Sequence, residues 1–241
     1  MANPLMKVME QTQVLEGEPM TISGSINKTL ILLLCVVAAA CYTWSLAVQG
    51  FTDMASMLTM GGIIVGFVLA LIIMFTRKAM NVLSPLYALA EGLALGGISA
   101  VYAAEYAGIV MQAVILTFAV LFTMLVFYKA EIIRCTETFR SVIFTATASI
   151  AIVYLIQIVA SLFGRGIPQI FTASPIGIGF SVVVVLIAAF NLILDFDFIE
   201  RGANLMLPKK YEWYGAFGLM VSLIWLYLEI LRLLAKVNSR R

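Results

Sequence analysis

The sequence contains no histidine and carries little charge of either sign. Only 12% of its 241 residues are Asp, Glu, Lys or Arg, about half the share in an ordinary soluble domain. Because so few charges cannot cover a water-facing surface, the 63% hydrophobic content points to a membrane protein. The missing histidine excludes Ser-His-Asp and Cys-His nucleophiles, histidine-ligated zinc and an imidazole pH switch. Proton chemistry must therefore use carboxylates, and a hard cation must meet oxygen ligands.

Cysteine is scarce too, and the usual pattern of a secretory signal is absent. The three cysteines show no C-x-x-C spacing, so neither a disulfide framework nor a metal framework is expected. Residues 1–28 are polar, and the apolar run that follows is long enough to cross a bilayer. We therefore predict a polar N-terminal tail over 1–28, a membrane domain over 29–234 and a basic tail over 235–241.

Seven apolar runs are long enough to cross a membrane, since a helical span needs about 20 mostly apolar residues. Their connections are short, which predicts an all-α integral membrane bundle without a soluble domain. Two glycine pairs at i, i+4 spacing, Gly62/Gly66 and Gly92/Gly96, fit close helix packing or simply the frequency of glycine in membrane helices. The runs are 29–48, 58–75, 82–103, 109–127, 141–162, 176–198 and 213–234.

The distribution of Lys and Arg predicts which side the N-terminus faces. Only Arg165 lies in the loops opposite the N-terminus, and basic loops stay in the cytoplasm, so a cytoplasmic N-terminus in the cell (inner) membrane is expected. Seven spans then place Lys236, Arg240 and Arg241 outside, against this rule. Either the tail is tolerated there or one segment is re-entrant, and seven full spans are favoured. The ten bases on the N-terminal side are Lys7, Lys28, Arg77, Lys78, Lys129, Arg134, Arg140, Arg201, Lys209 and Lys210.

Charge inside a bilayer is costly and usually functional. Glu91 lies near the middle of the third run, which holds no basic residue. It is interpreted as a proton-responsive or cation-contacting group, and the alternative is a protonated side chain bonded to a neighbouring helix. Asp195 and Asp197 lie in the last turns of the sixth run and point in roughly opposite directions, so only one can face the bundle well. Function is favoured for this pair over a solvated helix end.

Polar residues also mark the fifth and seventh runs. Glu229 and Arg232 are spaced i, i+3 and can pair within the seventh helix, or Arg232 can extend to the outer interface. Their face continues inward to Ser222, which predicts a polar stripe directed into the bundle. On the fifth run, Tyr154 belongs to a polar face. These polar side chains are interpreted as forming hydrogen bonds to neighbouring helices.

The last two runs carry a family resemblance. The relevant strings are LDFDFIE at 194–200, EWY at 212–214 and WLYLEILRLL at 225–234. Together they resemble the C-terminal half of the Bax inhibitor family, most closely its bacterial Bax-inhibitor-like branch. The resemblance extends over all the spans, from about residue 25 onward, and does not explain the N-terminal tail.

This resemblance implies six helices surrounding a central seventh. Better-studied relatives are pH-sensitive calcium leak proteins, in which an aspartate on the sixth helix pairs with an aspartate on the seventh. Shared protonation closes the pore and deprotonation opens it. Eukaryotic relatives suppress cell death, and some bacterial relatives associate with a membrane-bound protease.

The family's acids map onto this chain with departures. Phe196-Asp197 best matches the sixth-helix aspartate, which makes Asp195 an added acid. The seventh-helix position is Glu229 by its Leu-Tyr-Leu-Glu string, or Ser222 by an ungapped match. At about 1.5 Å per residue, Ser222 is about 14 Å and Glu229 about 24 Å beyond the start of the seventh run, so Ser222 is nearer in height to the Asp pair. The run 58–75 lacks the family's second-helix acid, and Glu91 is a candidate replacement.

Two functions remain in competition. The first is a calcium-preferring cation leak, in which Glu91, Asp195, Asp197, Ser222, Glu229 and Arg232 form the pH-sensing ion pathway. Asp195 and Asp197 are then transient calcium ligands, with calcium as the permeant ion and no cofactor. The second is a non-transporting regulator of stress responses or of a membrane protease, which binds a membrane-protein partner.

An enzyme is not expected, because Gly-x-Gly-Asp, Gly-x-Ser-Gly and H-E-x-x-H strings are all absent. The predicted partners are the lipid bilayer and calcium ions, without nucleic acid. A monomer or weak homo-oligomer is expected.

Overall fold

Seven long helices account for almost all of the chain that the computed structural model describes, which is residues 18–76, 79–164, 170 and 172–240. Each helix is long and apolar enough to cross a membrane. The described ranges contain no β-strand, and their single β-type pairing is an isolated bridge between Pro19 and Pro208. The predicted all-α, seven-span membrane fold is confirmed. The helices are α1 Ile22–Val48, α2 Thr52–Thr76, α3 Met80–Glu105, α4 Ile109–Lys129, α5 Glu137–Leu162, α6 Pro175–Asn204 and α7 Lys210–Asn238.

Successive spans alternate in direction, so the helix ends fall into two sets. We call the side on which α1 begins the N-terminal side, and the side on which α7 ends the C-terminal side. Which side faces the cytoplasm stays a prediction. Of the bases used to predict it, Lys7, Arg77, Lys78, Arg165 and Arg241 lie outside the described residues.

The helices extend beyond the apolar runs that predicted them. α1 begins at Ile22 because the Thr21 hydroxyl accepts a hydrogen bond from the Gly24 N–H at 2.9 Å, which caps the helix. The predicted tail over 1–28 therefore contributes its last residues to α1, while 1–17 lie outside the described ranges. α6 continues to Asn204, six residues beyond the predicted run, so Asp197 lies about two turns before the helix end. Polar residues can therefore extend a helix beyond its apolar run when capping hydrogen bonds and neighbouring segments stabilise the added turns.

α7 is the most buried helix and α5 the least. Within their spans 56% of α7 is buried, against 11% of α5. Close backbone approaches join α7 to α1, α3, α4 and α6, and among the described residues none joins it to α2 or α5. Leu226 and Leu231 of α7 are fully buried in a core that includes Leu192 of α6. The central position of α7 within a complete ring of six helices stays a prediction.

Glycine lets α3 approach α1 closely. A Cβ atom at Gly92 would lie 2.5 Å from the Val36 carbonyl oxygen, and one at Gly96 would lie 2.3 Å from the Ala40 carbonyl oxygen. Any side chain at these two positions would force the helices apart, so this pair is a packing feature of the α1–α3 contact.

Candidate functional site

A cleft of ≈ 800 Å³ lies between α5, α6 and α7 at the N-terminal side. It exists because α5 packs against α6 without approaching the α7 backbone. Aromatic rings from all three helices form much of its wall. Its charged lining residues are Glu137, Arg140, Asp195, Asp197 and Arg201.

Asp197 lies in this cleft bonded to two arginines. Arg140 of α5 donates from Nη2 to Asp197 Oδ2 at 2.8 Å, and Arg201, one turn further along α6, donates from Nε to the same carboxylate at 2.9 Å. Glu137 lies 3.2 Å from the Arg140 guanidinium and 3.6 Å from that of Arg201. Asp197 itself is buried. Its charge is therefore compensated, and the cluster joins α5 to α6.

The loop before α5 adds a buried thiol to this cluster. Arg201 Nη2 donates to the Cys135 carbonyl oxygen at 3.2 Å. Burial raises the pKa of the Cys135 thiol, and the nearby Asp197 charge adds to this effect. A raised pKa disfavours the thiolate, which is the nucleophilic form of cysteine.

Asp195 faces α7, and no arginine among the described residues forms a salt bridge with it. A Cβ atom at Gly218 would lie 3.1 Å from Asp195 Oδ1, so the side chain points at the α7 backbone. Ser222, one turn further along the same face of α7, is the side chain of α7 that interacts electrostatically with the Asp195 carboxylate. Asp195 Oδ2 is buried without a hydrogen-bond partner in the described part of the chain. Its second oxygen is therefore an acceptor without a protein donor beside the cleft.

The contact between α6 and α7 thus uses a different aspartate from the one matched by sequence. The sequence match assigned Asp197 to the sixth-helix acid and treated Asp195 as an addition. In the structure Asp195 meets Ser222, and Asp197 points toward α5. Glu229 lies seven residues beyond Ser222, about 10 Å further toward the C-terminal side.

Glu229 and Arg232 form the expected pair within α7, and Tyr154 of α5 joins it. Tyr154 donates its hydroxyl to Glu229 Oε1 at 2.8 Å, and Arg232 Nη1 lies 2.8 Å from the same oxygen and 2.7 Å from the Tyr154 hydroxyl. The guanidinium also stacks 5.1 Å from the centre of the Tyr154 ring. Glu229 Oε2 is buried without a partner in the described ranges. Tyr154 therefore links α5 to α7, in agreement with the interpretation of the polar face of α5 as a contact between helices.

Glu91 lies apart from these groups. Its Oε1 would lie 2.7 Å from a Cβ atom at Gly66 of α2, so the half-buried carboxylate fills the contact between α2 and α3. It does not line the cleft. The structure places Asp195 and Asp197 in one cleft and Ser222 beside Asp195, and it leaves Glu91 in a separate part of the bundle.

Sequence reasoning missed a buried carboxylate at the start of α7. Glu212 is fully buried, accepts hydrogen bonds at 2.9 Å from both the N–H and the hydroxyl of Thr21, and forms a salt bridge with Lys28. Beside it the Met20 N–H donates to the Leu207 carbonyl oxygen at 2.7 Å. These bonds hold the start of α1 against the start of α7. The sequence did contain a signal for this contact. Lys28 directly precedes the first apolar run and Glu212 directly precedes the seventh, so both lie near helix starts on the N-terminal side.

Lys236 was counted as a tail charge, but it is buried in the bundle. Its ammonium donates to the carbonyl oxygens of Ile170 and Gly177 at 3.0 Å and to the Ser181 hydroxyl at 2.9 Å. All three of its N–H groups are thus bonded to neutral oxygens. Lys236 is therefore not an exposed loop charge. Its positive charge no longer counts among the tail charges that conflict with the predicted orientation.

No group of three or more Cys, Asp or Glu side chains that could hold a metal ion occurs among the described residues. Both Asp197 oxygens face guanidinium groups. The geometry therefore does not provide a resident calcium site built on the Asp pair, and transient contact with calcium stays a prediction.

Seven helices of membrane-spanning length, of which α7 is the most buried, define a multi-pass helical membrane protein. The model of the family described as Bax inhibitor 1 like matches residues 3–239. The chain therefore belongs to the Bax inhibitor 1-like family. A comparison with curated proteins found no match.

Proposed function

We propose that the protein is a calcium-preferring cation leak in the cell (inner) membrane, with its N-terminus in the cytoplasm. The cleft between α5, α6 and α7 is its cytoplasmic entrance, and Asp195 is the carboxylate that a passing cation meets. Family membership supports this proposal, and one observation carries it. Asp195 lines the cleft with a buried oxygen that has no protein partner among the described residues.

Calcium suits such a group because it prefers carboxylate and other oxygen ligands. Asp195 offers its free oxygen, and the Ser222 hydroxyl lies on the facing helix. Protonation of Asp195 removes the negative charge that attracts the cation, and deprotonation restores it. Without histidine, carboxylates have to supply this pH response.

The other acids have supporting roles. Asp197 holds Arg140 and Arg201 at the entrance, where the guanidinium groups oppose cation entry until the cluster rearranges. Glu229, Arg232 and Tyr154 anchor α5 to α7 deeper in the membrane. Glu91 acts at the contact of α2 and α3, outside the cleft. We assign the protein no catalytic activity and no cofactor.

Calcium flux into liposomes that contain the purified full-length protein tests the proposal. A calcium-sensitive dye inside the liposomes reports flux across a pH series from acid to neutral. We expect flux that increases with pH in the wild type and is lost in the double variant Asp195→Asn/Asp197→Asn. Glu91→Gln should retain the flux, and Glu131→Gln, an exposed loop acid, is the matched control.

If the double variant keeps both the flux and its pH dependence, the cleft is not the entrance. A wild type that conducts no better than protein-free liposomes contradicts the leak itself. Co-purification of a membrane-protein partner with that inactive wild type would favour the non-transporting regulator. Size measurement of the purified protein tests the proposed monomer or weak homo-oligomer.

A further inference from the structure

A second pocket, of ≈ 450 Å³, lies at the N-terminal side between the starts of α3 and α7 and the first turns of α1. It shares no lining residue with the cleft. Its polar lining consists of three lysines and an amide, and a tryptophan ring supplies one wall. These residues are Lys28, Lys209, Lys210, Asn81 and Trp213.

Positive charge exceeds negative charge around this pocket. Lys28 pairs with Glu212 and Lys209 pairs with Glu18, whereas no salt bridge among the described residues includes Lys210. The Lys210 ammonium lies 5.7 Å from the Tyr211 ring and is exposed. Because an ammonium has three N–H groups, the paired lysines also keep donors for an incoming anion.

The helix ends add to this potential. Ala79 and Lys209 precede the first residues of α3 and α7, and neither caps its helix with a side-chain hydrogen bond. The positive dipole ends of two long helices therefore border one pocket. A group with several acceptor oxygens and negative charge fits this surface better than a cation or an apolar ligand.

The pocket lies at the level where lipid headgroups meet the helix ends. Tryptophan and lysine are typical of this boundary, and the Lys28 ammonium lies 5.5 Å above the Trp213 ring. From this level inward, the neighbouring helices expose large apolar side chains that can contact acyl chains. Examples are Phe75, which is 80% exposed, Val82 at 54% and Leu86 at 47%.

We propose that this pocket binds the phosphate group of an anionic phospholipid headgroup. Basic pockets between helices at this depth are suited to such headgroups. Lys210 and Lys28 contact the phosphate oxygens, Asn81 donates its amide, and the acyl chains follow the exposed apolar side chains of α2 and α3. The bound headgroup thereby connects the start of α3 to the starts of α1 and α7, which the Glu212 cluster already holds together.

Native mass spectrometry of the full-length protein tests this site. The purified protein is incubated with equal amounts of phosphatidylglycerol and phosphatidylcholine, and the bound lipids are counted. We expect a preference for phosphatidylglycerol that falls about fivefold in Lys210→Gln. Lys129→Gln is the matched control, because Lys129 is an exposed lysine on the same side but outside the pocket. No preference in the wild type, or equal losses in both variants, would overturn the proposal.

A second arm identifies the source of the phosphate group. If millimolar inorganic phosphate displaces phosphatidylglycerol, the pocket takes the phosphate group from solution as well. If it does not, the phosphate must arrive on a lipid.

A fluorescence measurement keeps the test independent of the lysine variants. In a Trp44→Phe/Trp225→Phe background, Trp213 is the remaining tryptophan of three. Its emission should change as phosphatidylglycerol replaces phosphatidylcholine, and an unchanged emission would contradict binding in this pocket.

Discussion

Asp195 and Asp197 line the same cleft two residues apart on α6, yet their surroundings are opposite. Asp197 is bonded by Arg140 from α5 and by Arg201 from its own helix. Asp195 faces α7, with Ser222 as its partner and one buried oxygen unbonded in the described part of the chain. The helix produces this difference, because residues two apart point in roughly opposite directions.

The comparison of Asp195 with Asp197 indicates which acids stabilise the contacts between helices. Carboxylates paired with guanidinium groups take part in the contacts between helices, as Asp197 does with Arg140 of α5 and as Glu229 does through the Tyr154 hydroxyl of α5. A carboxylate that is not paired with a cation contributes little to the contact between helices and can exchange its ligands. Stability measurements should therefore separate the two kinds of acid.

Removing the cation from a paired acid should have the largest effect. Arg232→Met leaves the Glu229 carboxylate, which is 2% exposed in its side chain, buried without compensation. We expect a loss of about 3 kcal/mol in unfolding free energy, the low end for a broken buried pair because Arg232 is 35% exposed. Unfolding in mixed detergent micelles measures it.

The double variant Glu229→Gln/Arg232→Met is the control for this prediction. It removes both charges and should recover most of the loss. A single variant that costs less than about 1 kcal/mol would show that Glu229 does not need its cation.

Replacing the two aspartates separately should have a smaller effect and a clear order. Asp197→Asn removes hydrogen bonds between charged groups and should cost about 1.5–3 kcal/mol. Asp195→Asn is nearly isosteric and removes a charge that no cation compensates, so its cost should stay below about 1 kcal/mol. The same unfolding assay compares them. A larger loss in Asp195→Asn than in Asp197→Asn would contradict the contrast.

The smallest effect is expected at an exposed pair, Glu18 with Lys209. The Lys209 ammonium lowers the pKa of Glu18 below its usual value of 4.5. A lowered pKa means that the pair stabilises the folded protein above about pH 4.5, and that this contribution is lost as pH falls through the folded pKa. Thermal unfolding of wild type and Glu18→Gln should differ slightly at pH 6 and converge on acidification. A difference that grows toward low pH would contradict the sign.

The fold was largely predictable because its signal is local. Runs of about 20 apolar residues mark spans regardless of how they pack, and all seven runs became helices. The i, i+3 spacing of Glu229 and Arg232 likewise predicted a contact within one helix. The added helical turns at α1 and α6 depend on capping and on neighbouring chains, which apolar runs do not report.

The partners of buried charges were not predictable, because they come from distant helices. Arg140 lies 57 residues from Asp197, and Thr21 lies 191 residues from Glu212. The direction of each aspartate depends on the rotation of α6 against α5 and α7, which a single sequence does not define. For the same reason Lys236 was counted as a tail charge, although it is bonded inside the bundle.

Calcium flux through liposomes with the single variants tests the central claim most directly. Asp195→Asn and Asp197→Asn differ only in which of the two neighbouring carboxylates becomes an amide. If Asp195 is the group that cations meet, Asp195→Asn should lose most of the flux and its pH dependence at nearly unchanged stability. Asp197→Asn should keep a pH-dependent flux, increased where the freed arginines leave the entrance. Flux that survives in Asp195→Asn and disappears in Asp197→Asn would contradict the account.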